Sequence, residues 1–460
     1  MKREKIFFLI CLFFVFLFSS SFQKFSNEKK SKTQSVFKHQ EIKFLNAGHP
    51  FRCQGPPYVP GEILVKFNTA LSEQRIEATI DAYNSKKIKR IPRIDVFELE
   101  IPKETTVEEM IYVLSQNPDI EYVEPNYVAS IATTPNDTLF KYQYALYNSG
   151  QKIAPVDIPG VPSGKQRADI KATAAWEETK GDEGFVIAVI DSGVDLRHQD
   201  IKNKIKSSGR DFVNDDFDAT DDNGHGTHVA GIAAAETNNN EGIAGVAWNC
   251  KILPIKVMDK DGSGEYAWVA QGVIYAADNG ASVINLSIGG PSPSQTLLNA
   301  LKYAYEEDVV IISAAGNEGS SVLYPAAYDN YCLAVAATDY NDERVTFSKT
   351  EGTWESNFGP EMDVAAPGDW IVSLWPTALT PSRFAPYLWA SGTSMATAHV
   401  AGLAALIKSI KPWMKPKEIM DVIRFSADDV NSTQYPGKDE FIGYGRINME
   451  KALVPIKIKK

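Results

Sequence analysis

Apolar residues fall along this chain in two kinds of short run, one mixed with polar residues at regular spacing and one apolar throughout. The first kind dominates early. Residues 61–67 (Gly-Glu-Ile-Leu-Val-Lys-Phe) read as a strand, 72–83 carry apolar side chains at helical spacing, and 96–101 read as a second strand. Thr106 stands three residues before Glu109, the sequence form of a capping box, which predicts a helix running to 116. Another strand begins at 120–123. Two helices on a small antiparallel sheet account for this stretch, an α+β unit of ferredoxin-like form.

The second kind takes over from residue 135. Residues 185–190, 252–258, 283–288, 309–314 and 333–337 are short, β-branched and apolar on both faces, as suits parallel strands covered on both sides. Between them 228–237, 265–278 and 295–307 have helical spacing, and 394–407 is apolar nearly all round, so it should form a buried central helix. The fold class is therefore α/β, a parallel sheet flanked by helices on both faces. Reactive groups on such sheets gather beyond the carboxyl ends of the strands. Asp191 and Asn317 both follow a predicted strand directly.

The remaining segments set the organisation. Residues 2–5 are charged, 6–18 are apolar and Ser19 to Ser21 are small, which reads as a secretory signal peptide over 1–21. The apolar run is too short for a comfortable membrane span. The alternative is an uncleaved anchor, because the cleavage site is Ser-rich. Residues 22–57, rich in Lys, Ser and Gln, form a linker before the small unit at 58–130 and the α/β unit at 135–455. Export to the extracellular space or periplasm follows, with no stable membrane span and a monomer expected.

Charge and cysteine usage narrow the function. Residues 1–130 hold 18 Lys+Arg against 16 Asp+Glu, and the rest hold 29 against 42. An α/β unit that acidic argues against nucleic acid as partner and is compatible with cation binding. Four cysteines in 460 residues make no disulfide framework. Cys250 and Cys332 sit in or beside apolar runs, either as buried free thiols or as a bridge.

Three segments carry the candidate chemistry: Asp191-Ser192-Gly193, His225-Gly226-Thr227-His228, and Gly392-Thr393-Ser394-Met395-Ala396. They supply an acid, a base and a hydroxyl in the chain order Asp, His, Ser, one of three orders in which such triads occur. A lone serine hydroxyl is a poor nucleophile until an imidazole takes its proton and a carboxylate holds the imidazole. Each segment alone has a plainer reading. Asp191 fits a turn after a strand, Ser394 fits an N-cap, and Asn317 fits a turn beside glycine. His225 and His228 are three apart, but no nearby Cys or third His completes a metal site. His228 and His399 read as structural. Ser394 opens the buried helix, where unpaired backbone N–H groups can stabilise a developing oxyanion, and the Asn317 amide can add a further donor.

Taken together and in this order, these segments resemble the signatures of the subtilisin-like serine proteases (subtilases, peptidase family S8), over residues 58–455. Residues 118–126 resemble the end of a subtilase propeptide, and Thr134-Pro135-Asn136-Asp137 with the 237–245 loop resemble the thermitase branch. The resemblance implies a subtilisin-like fold in which Asp191, His225 and Ser394 form the triad and Asn317 helps hold the oxyanion. Ser287, Ile288 and Gly289 then form one wall of the substrate cleft, and Leu323 lies near the base of the primary specificity pocket. It implies structural Ca2+, with no metal needed for the chemistry. The site it points to comprises Asp137, Asp200, Glu236, Asn239, Glu241 and Ile243; a second candidate is read from the residues themselves, since Asp211, Asp216, Asp218, Thr220 and Asp222 place oxygens on alternate residues just before His225. A solvated acidic loop is the alternative in each case. The small unit becomes an intramolecular inhibitor, cut from the enzyme within 129–134. One departure stands out: Ala398 occupies a position where the family usually has proline, inside the helix start and away from the reacting atoms.

The expected function is a secreted serine endopeptidase that hydrolyses protein or peptide substrates and is made as a self-processed zymogen. The alternatives are a non-catalytic binding protein on the same fold, or a transpeptidase or cyclase. The first would be expected to lose a triad member, and none is missing. The second needs water kept from the acyl-enzyme, and no lid insertion stands out.

Overall fold

A computed structural model describes residues 58–454 apart from 70, 128–133, 156–159, 208, 351 and 380–385. The expected leader and linker, Cys11 and Cys53, and all but the last residue of the expected cleavage stretch lie outside the described residues.

The N-terminal unit runs β1 (Tyr58–Phe67), α1 (Glu73–Ala82), β2 (Lys86–Ile91), β3 (Val96–Glu100), α2 (Val107–Leu114) and β4 (Ile120–Tyr127). Its antiparallel sheet has the order β2-β3-β1-β4, so the βαββαβ chain forms a ferredoxin-like unit as expected. Alternate residues of β1 (Ile63, Val65 and Phe67) face inward against Ile76 and Ile80 of α1 and Met110 and Leu114 of α2. The capping box is formed in both directions, with Glu109 N donating to Thr106 Oγ1 at 3.2 Å and Thr106 N donating to Glu109 Oε2 at 3.0 Å. The sequence pattern missed β2. Its Lys-Lys-Ile-Lys-Arg-Ile run has too few apolar positions to signal a strand, but it lies at a sheet edge. There Lys89 pairs with Glu98 at 2.8 Å across β3, and such charges keep an edge from pairing with other chains.

The second unit contains α3 (Ala172–Glu178), β5 (Val186–Asp191), β6 (Arg210–Asp211), α4 (His225–Ala234), β7 (Lys251–Lys256), α5 (Tyr266–Asp278), β8 (Val283–Leu286), α6 (Gln295–Glu306), β9 (Val310–Ala314), β10 (Cys332–Thr338) and β11 (Met362–Pro367). It closes with β12 (Ile371–Leu374), β13 (Tyr387–Ala390), α7 (Thr393–Ile410), α8 (Pro416–Ser426) and α9 (Met449–Leu453). Seven strands form one sheet in the order β11-β10-β9-β8-β5-β7-β6, and its strand pairs are parallel. Val186, Ala188 and Ile190 of β5 pack with Val269 and Val273 of α5 and with Leu297 and Leu301 of α6. Helices α4 and α7 cover the other face, and α7 is buried along nearly its whole length. The order reverses direction around β5, β7 and β8, which puts the carboxyl end of β5 at the site-forming crevice.

Two differences from the sequence reading have physical causes. Helix α4 begins at residue 225, three residues earlier than expected, because the Asp221 carboxylate accepts from the N–H groups of Gly224 and Thr227 and so caps the first turn. Strand β11 escaped notice because Asp363 interrupts its apolar run. That carboxylate is buried and takes a 2.8 Å bond from Arg424 of α8, a partner 61 residues away. Cys250 and Cys332 are both buried free thiols. Among the described residues no helix is long and apolar enough to cross a membrane.

Candidate active site

Asp191 is the last residue of β5 and is paired in register with Lys256 of β7. The chain turns sharply after it. Gly193 has φ +102°, and a side chain there would also strike the Ala219 carbonyl at 2.5 Å, so the turn requires glycine. His225 opens α4. A Cβ on the next residue, Gly226, would lie 2.1 Å from Gly193 O and 3.1 Å from Asp191 Cβ. Absence of that atom is what lets the helix start approach the acid.

Asp191 Oδ1 lies 2.7 Å from His225 Nδ1 and accepts from Ser192 N at 2.7 Å. The carboxylate is 1% exposed, while about a third (34%) of the His225 side chain is open. Burial pushes the His225 pKa down, but the charge and hydrogen bond of Asp191 more than offset this and hold it above its ordinary value. The acceptor on Asp191 assigns the proton to Nδ1 and leaves Nε2 as the basic nitrogen.

Ser394 sits in the first turn of α7. Its hydroxyl donates to Ser287 O at 3.0 Å, and the Ser287 hydroxyl donates back to Ser394 O at 2.9 Å. The hydroxyl is therefore parked on a cleft carbonyl, a looser arrangement common in substrate-free sites. Asn317 follows β9, and its Oδ1 accepts from Thr393 N at 2.9 Å and from Thr393 Oγ1 at 3.0 Å. Two donors on one atom identify it as the oxygen and so fix the amide's orientation. The amide nitrogen is consequently the donor of this side chain, and the whole amide lies beside Gly392, its Nδ2 and Oδ1 at 3.5 and 3.6 Å from where a Cβ there would stand.

Ser287, Ile288 and Gly289 line a cleft of about 470 Å³ whose lining also includes Asp191, His225, Met258, Tyr266 and Tyr324. Gly290 and Tyr324 exchange backbone hydrogen bonds at 2.8 and 2.9 Å, which ties the two walls together. Leu323 packs close to Gly289 and Gly316, directly before the cleft-lining Tyr324 and Pro325 in sequence, and is not itself among the residues that line the cleft. His228 and His399 are fully buried. Burial pushes them down to about 3 and about 4, so both stay neutral, as expected of structural histidines.

Two residues escaped the sequence reading. Asn357 is fully buried, and its side chain bonds to Ala315 O, Glu318 Oε2, Ser321 O, Glu318 N and Ser320 N, clamping the loop that bears Asn317. It lies 40 residues downstream with no local signature. Asp221, four residues before His225, was submerged in the acidic run that precedes it.

The candidate cation residues are distributed unevenly. Asp137, Asp200, Asn239 and the Ile243 amide come together. Asp137 accepts from Asn238 N at 2.9 Å, and Asp200 accepts from Asn239 Nδ2 at 2.8 Å and Ile243 N at 3.0 Å. Glu236 instead turns its carboxylate to Asn203 N at 2.9 Å and Asn203 Nδ2 at 3.0 Å. Glu241 donates its N–H to Asn239 Oδ1 at 2.8 Å. In the second group, Asp211 caps its own turn through Val213 N and Asn214 N, and Asp218 accepts from Thr220. Asp216 accepts from Asp218 N, and Asp222 pairs with Lys256 at 2.5 Å. Among the described residues no cluster of three His, Cys, Asp or Glu side chains has the arrangement of a metal site. The first group nevertheless suits a hard cation. Burial pushes Asp200 up to about 8, Asp137 adds a like charge, and among the described residues neither acid pairs with a Lys or Arg.

Residues 182–445 match the subtilase family, and residues 51–126 match the fervidolysin N-terminal prodomain. The thermophilic serine proteinase of Bacillus sp. (strain AK1) is 40% identical over 398 residues, covering 86% of this chain and 88% of that protein. Thermitase of Thermoactinomyces vulgaris is 43% identical over 285 residues, 62% of this chain and 93% of its own. A solved protease from Pseudoalteromonas arctica aligns with TM-score 0.58 and 30% identity, over 70% of this chain and 99% of that one. The chain belongs to the subtilase family: it is a subtilisin-like serine protease with an N-terminal prodomain.

Proposed function

We propose that this protein is an exported serine endopeptidase acting through Asp191, His225 and Ser394, and that it matures by cutting off its own prodomain. The observation that carries the reading is the 2.7 Å contact between Asp191 Oδ1 and His225 Nδ1 at the edge of the cleft, with Ser394 at the start of the buried helix. In the first step Ser394 Oγ turns from the Ser287 carbonyl and attacks the scissile carbonyl carbon, while His225 Nε2 takes its proton. Asp191 steadies the imidazolium. The Ser394 N–H, unpaired in the first helical turn, and Asn317 Nδ2 hold the oxyanion. His225 then protonates the leaving amine, and water, activated by the same imidazole, hydrolyses the acyl-enzyme. The substrate lies extended along Ser287, Ile288 and Gly289, adding a strand to that wall.

The proposed organisation is a leader at 1–21, a linker at 22–57, an inhibitory prodomain at 58–130 and a monomeric peptidase unit at 135–455. The buried acids Asp137 and Asp200, the Asn239 side chain and carbonyls of Glu236, Glu241 and Ile243 would hold a calcium ion, which supplies stability and takes no part in the reaction. The second acidic group is left out of this proposal, since its carboxylates cap their own loop or pair with Lys256.

The test is expression of the full chain and of Ser394→Ala, with N-terminal sequencing, mass measurement and assay on casein and a chromogenic peptide amide. Wild type should lose its prodomain and cleave both substrates. Ser394→Ala should persist as an uncut, inactive precursor. Equal processing of the two would sink self-maturation, and equal cleavage would sink the triad.

A further inference from the structure

Asp221 is a second carboxylate at the heart of the site that the triad chemistry does not itself require. It is 5% exposed, and both of its oxygens are engaged. Oδ1 accepts from Ser192 Oγ at 2.8 Å, Asn223 N at 3.0 Å and Gly224 N at 2.8 Å. Oδ2 accepts from Thr227 N at 2.9 Å and Thr227 Oγ1 at 2.6 Å. The Ser192 hydroxyl that donates to Asp221 also accepts from Gly226 N at 3.0 Å. Ser192 is the residue after the acid, and Gly224 and Gly226 are the residues on either side of the base. One buried carboxylate thus binds the strand-end turn and the helix start that must meet for Asp191 to reach His225. Gly224, the residue before the helix, has no side chain to cap it, and the first-turn N–H groups are met by Asn223 Oδ1 on His225 N at 3.2 Å, by Ser192 Oγ on Gly226 N and by Asp221 on Thr227 N.

We propose that Asp221 is a positioning residue of the catalytic site, locking the Asp191 turn to the start of α4 and so setting the reach between Asp191 Oδ1 and His225 Nδ1. The proposal rests on the triad reading given above. Asp221 touches no substrate and moves no proton. Its bonds to donors flanking both partners are what a one-atom change can break without altering the cleft wall.

The same carboxylate has an electrostatic consequence that a purely structural cap would lack. The charged and titratable groups around His225 are Asp191, Asp221, His228 on its own helix, and Lys256 at the end of β7. His228 is buried and neutral. The Lys256 ammonium donates to Ser192 O at 2.9 Å, Met258 O at 2.8 Å and Asp222 Oδ1 at 2.5 Å, behind the turn. Asp191 and Asp221 therefore both favour the imidazolium form of His225, as its raised pKa reflects. Removing the Asp221 charge at constant shape moves that equilibrium toward neutral imidazole.

The experiment is Asp221→Asn in the full chain, compared after maturation with wild type and with Ser394→Ala. Cleavage of a peptide amide is followed from about pH 5 to 9, normalised to sites titrated with a fluorophosphonate. Misplacement of the pair should lower kcat by up to about 10²-fold with KM little changed. The acid limb of kcat/KM should move to lower pH. Asp221→Glu, which keeps the charge and alters the reach, should lose kcat with the limb in place. If Asp221→Asn fails to mature, Ser192→Ala and Thr227→Val each remove one arm of the bridge and should each lower kcat several-fold at unchanged KM. A wild-type kcat and limb in Asp221→Asn overturns the proposal, as does wild-type kcat in both substitute variants. Ser394→Ala separates the two levels. Cleavage by that variant would remove the triad reading, whereas its inactivity beside a wild-type-like Asp221→Asn would remove this proposal alone.

Discussion

Asn317 offers the sharpest quantitative test of the site, because its two side-chain atoms have separable jobs. The oxygen accepts two hydrogen bonds from Thr393, and the nitrogen is the donor proposed to meet the oxyanion. Asn317→Ala removes both. Loss of one oxyanion donor costs about 10²–10³ in kcat, or ~2.7–4 kcal/mol, when the bond is made mainly in the transition state. KM should then stay near the wild-type value, since the ground-state carbonyl gains little from the donor. Loss of two neutral hydrogen bonds at about 0.5–1.5 kcal/mol each also destabilises the fold by about 1–3 kcal/mol. Asn317→Asp keeps the acceptor that Thr393 needs and deletes the donor, so it should lose kcat at least as severely while losing less stability. The assay is steady-state cleavage of a chromogenic peptide amide on titrated active sites, with melting temperatures on inactivated protein. A kcat within about threefold of wild type in either variant, or a loss confined to KM, would refute the oxyanion role.

Three further outcomes are expected. Calcium should raise the melting temperature and a chelator should reverse it, with about 2.7 kcal/mol of stabilisation at a hundredfold excess over Kd, and Asp200→Asn should abolish the response; an unchanged melting temperature rejects the site. Gly226→Ala puts a Cβ 2.1 Å from Gly193 O, so the helix start and the Asp191 turn must separate, costing about 1–3 kcal/mol together with kcat; unaltered stability and rate would show that the close approach is dispensable. Burial depresses His399 to about 4 and His228 to about 3, below the unfolded value of about 6.5. Their neutral forms therefore support the fold fully above that unfolded value, and the contribution is lost as pH falls toward the folded values. Unfolding midpoints measured from pH 7 to about 4.5 should fall less steeply in His399→Gln than in wild type; equal slopes would contradict the linkage.

Much of the fold was legible because its signals are local. The apolar runs at 185–190, 283–288 and 309–314 need covering on both faces wherever they lie, and each became a central strand. The Thr106–Glu109 box closes within one helical turn. Elements whose stability comes from distant partners were hidden. Strand β2 is charged because it borders solvent and pairs with Glu98, and β11 tolerates Asp363 because Arg424 neutralises it. The same division runs through the calcium candidates. Asp137 and Asp200 converge from positions 63 residues apart, whereas Asp211, Asp216 and Asp218 cap their own loop.

By itself the sequence determined the layers of the fold and the identity and order of the candidate reacting groups, since motif residues and apolar periodicity are properties of short segments. Tertiary structure decided how those groups are held. It alone brought Asp221 between Ser192 and Thr227, seated Asn357 under the Asn317 loop, and gave Thr393 to Asn317 as the partner that orients its amide. The physical reason is that a hydrogen bond depends on distances of a few tenths of an ångström between side chains far apart in the chain. Residue type says which bonds a group can make; only packing says which ones it does make.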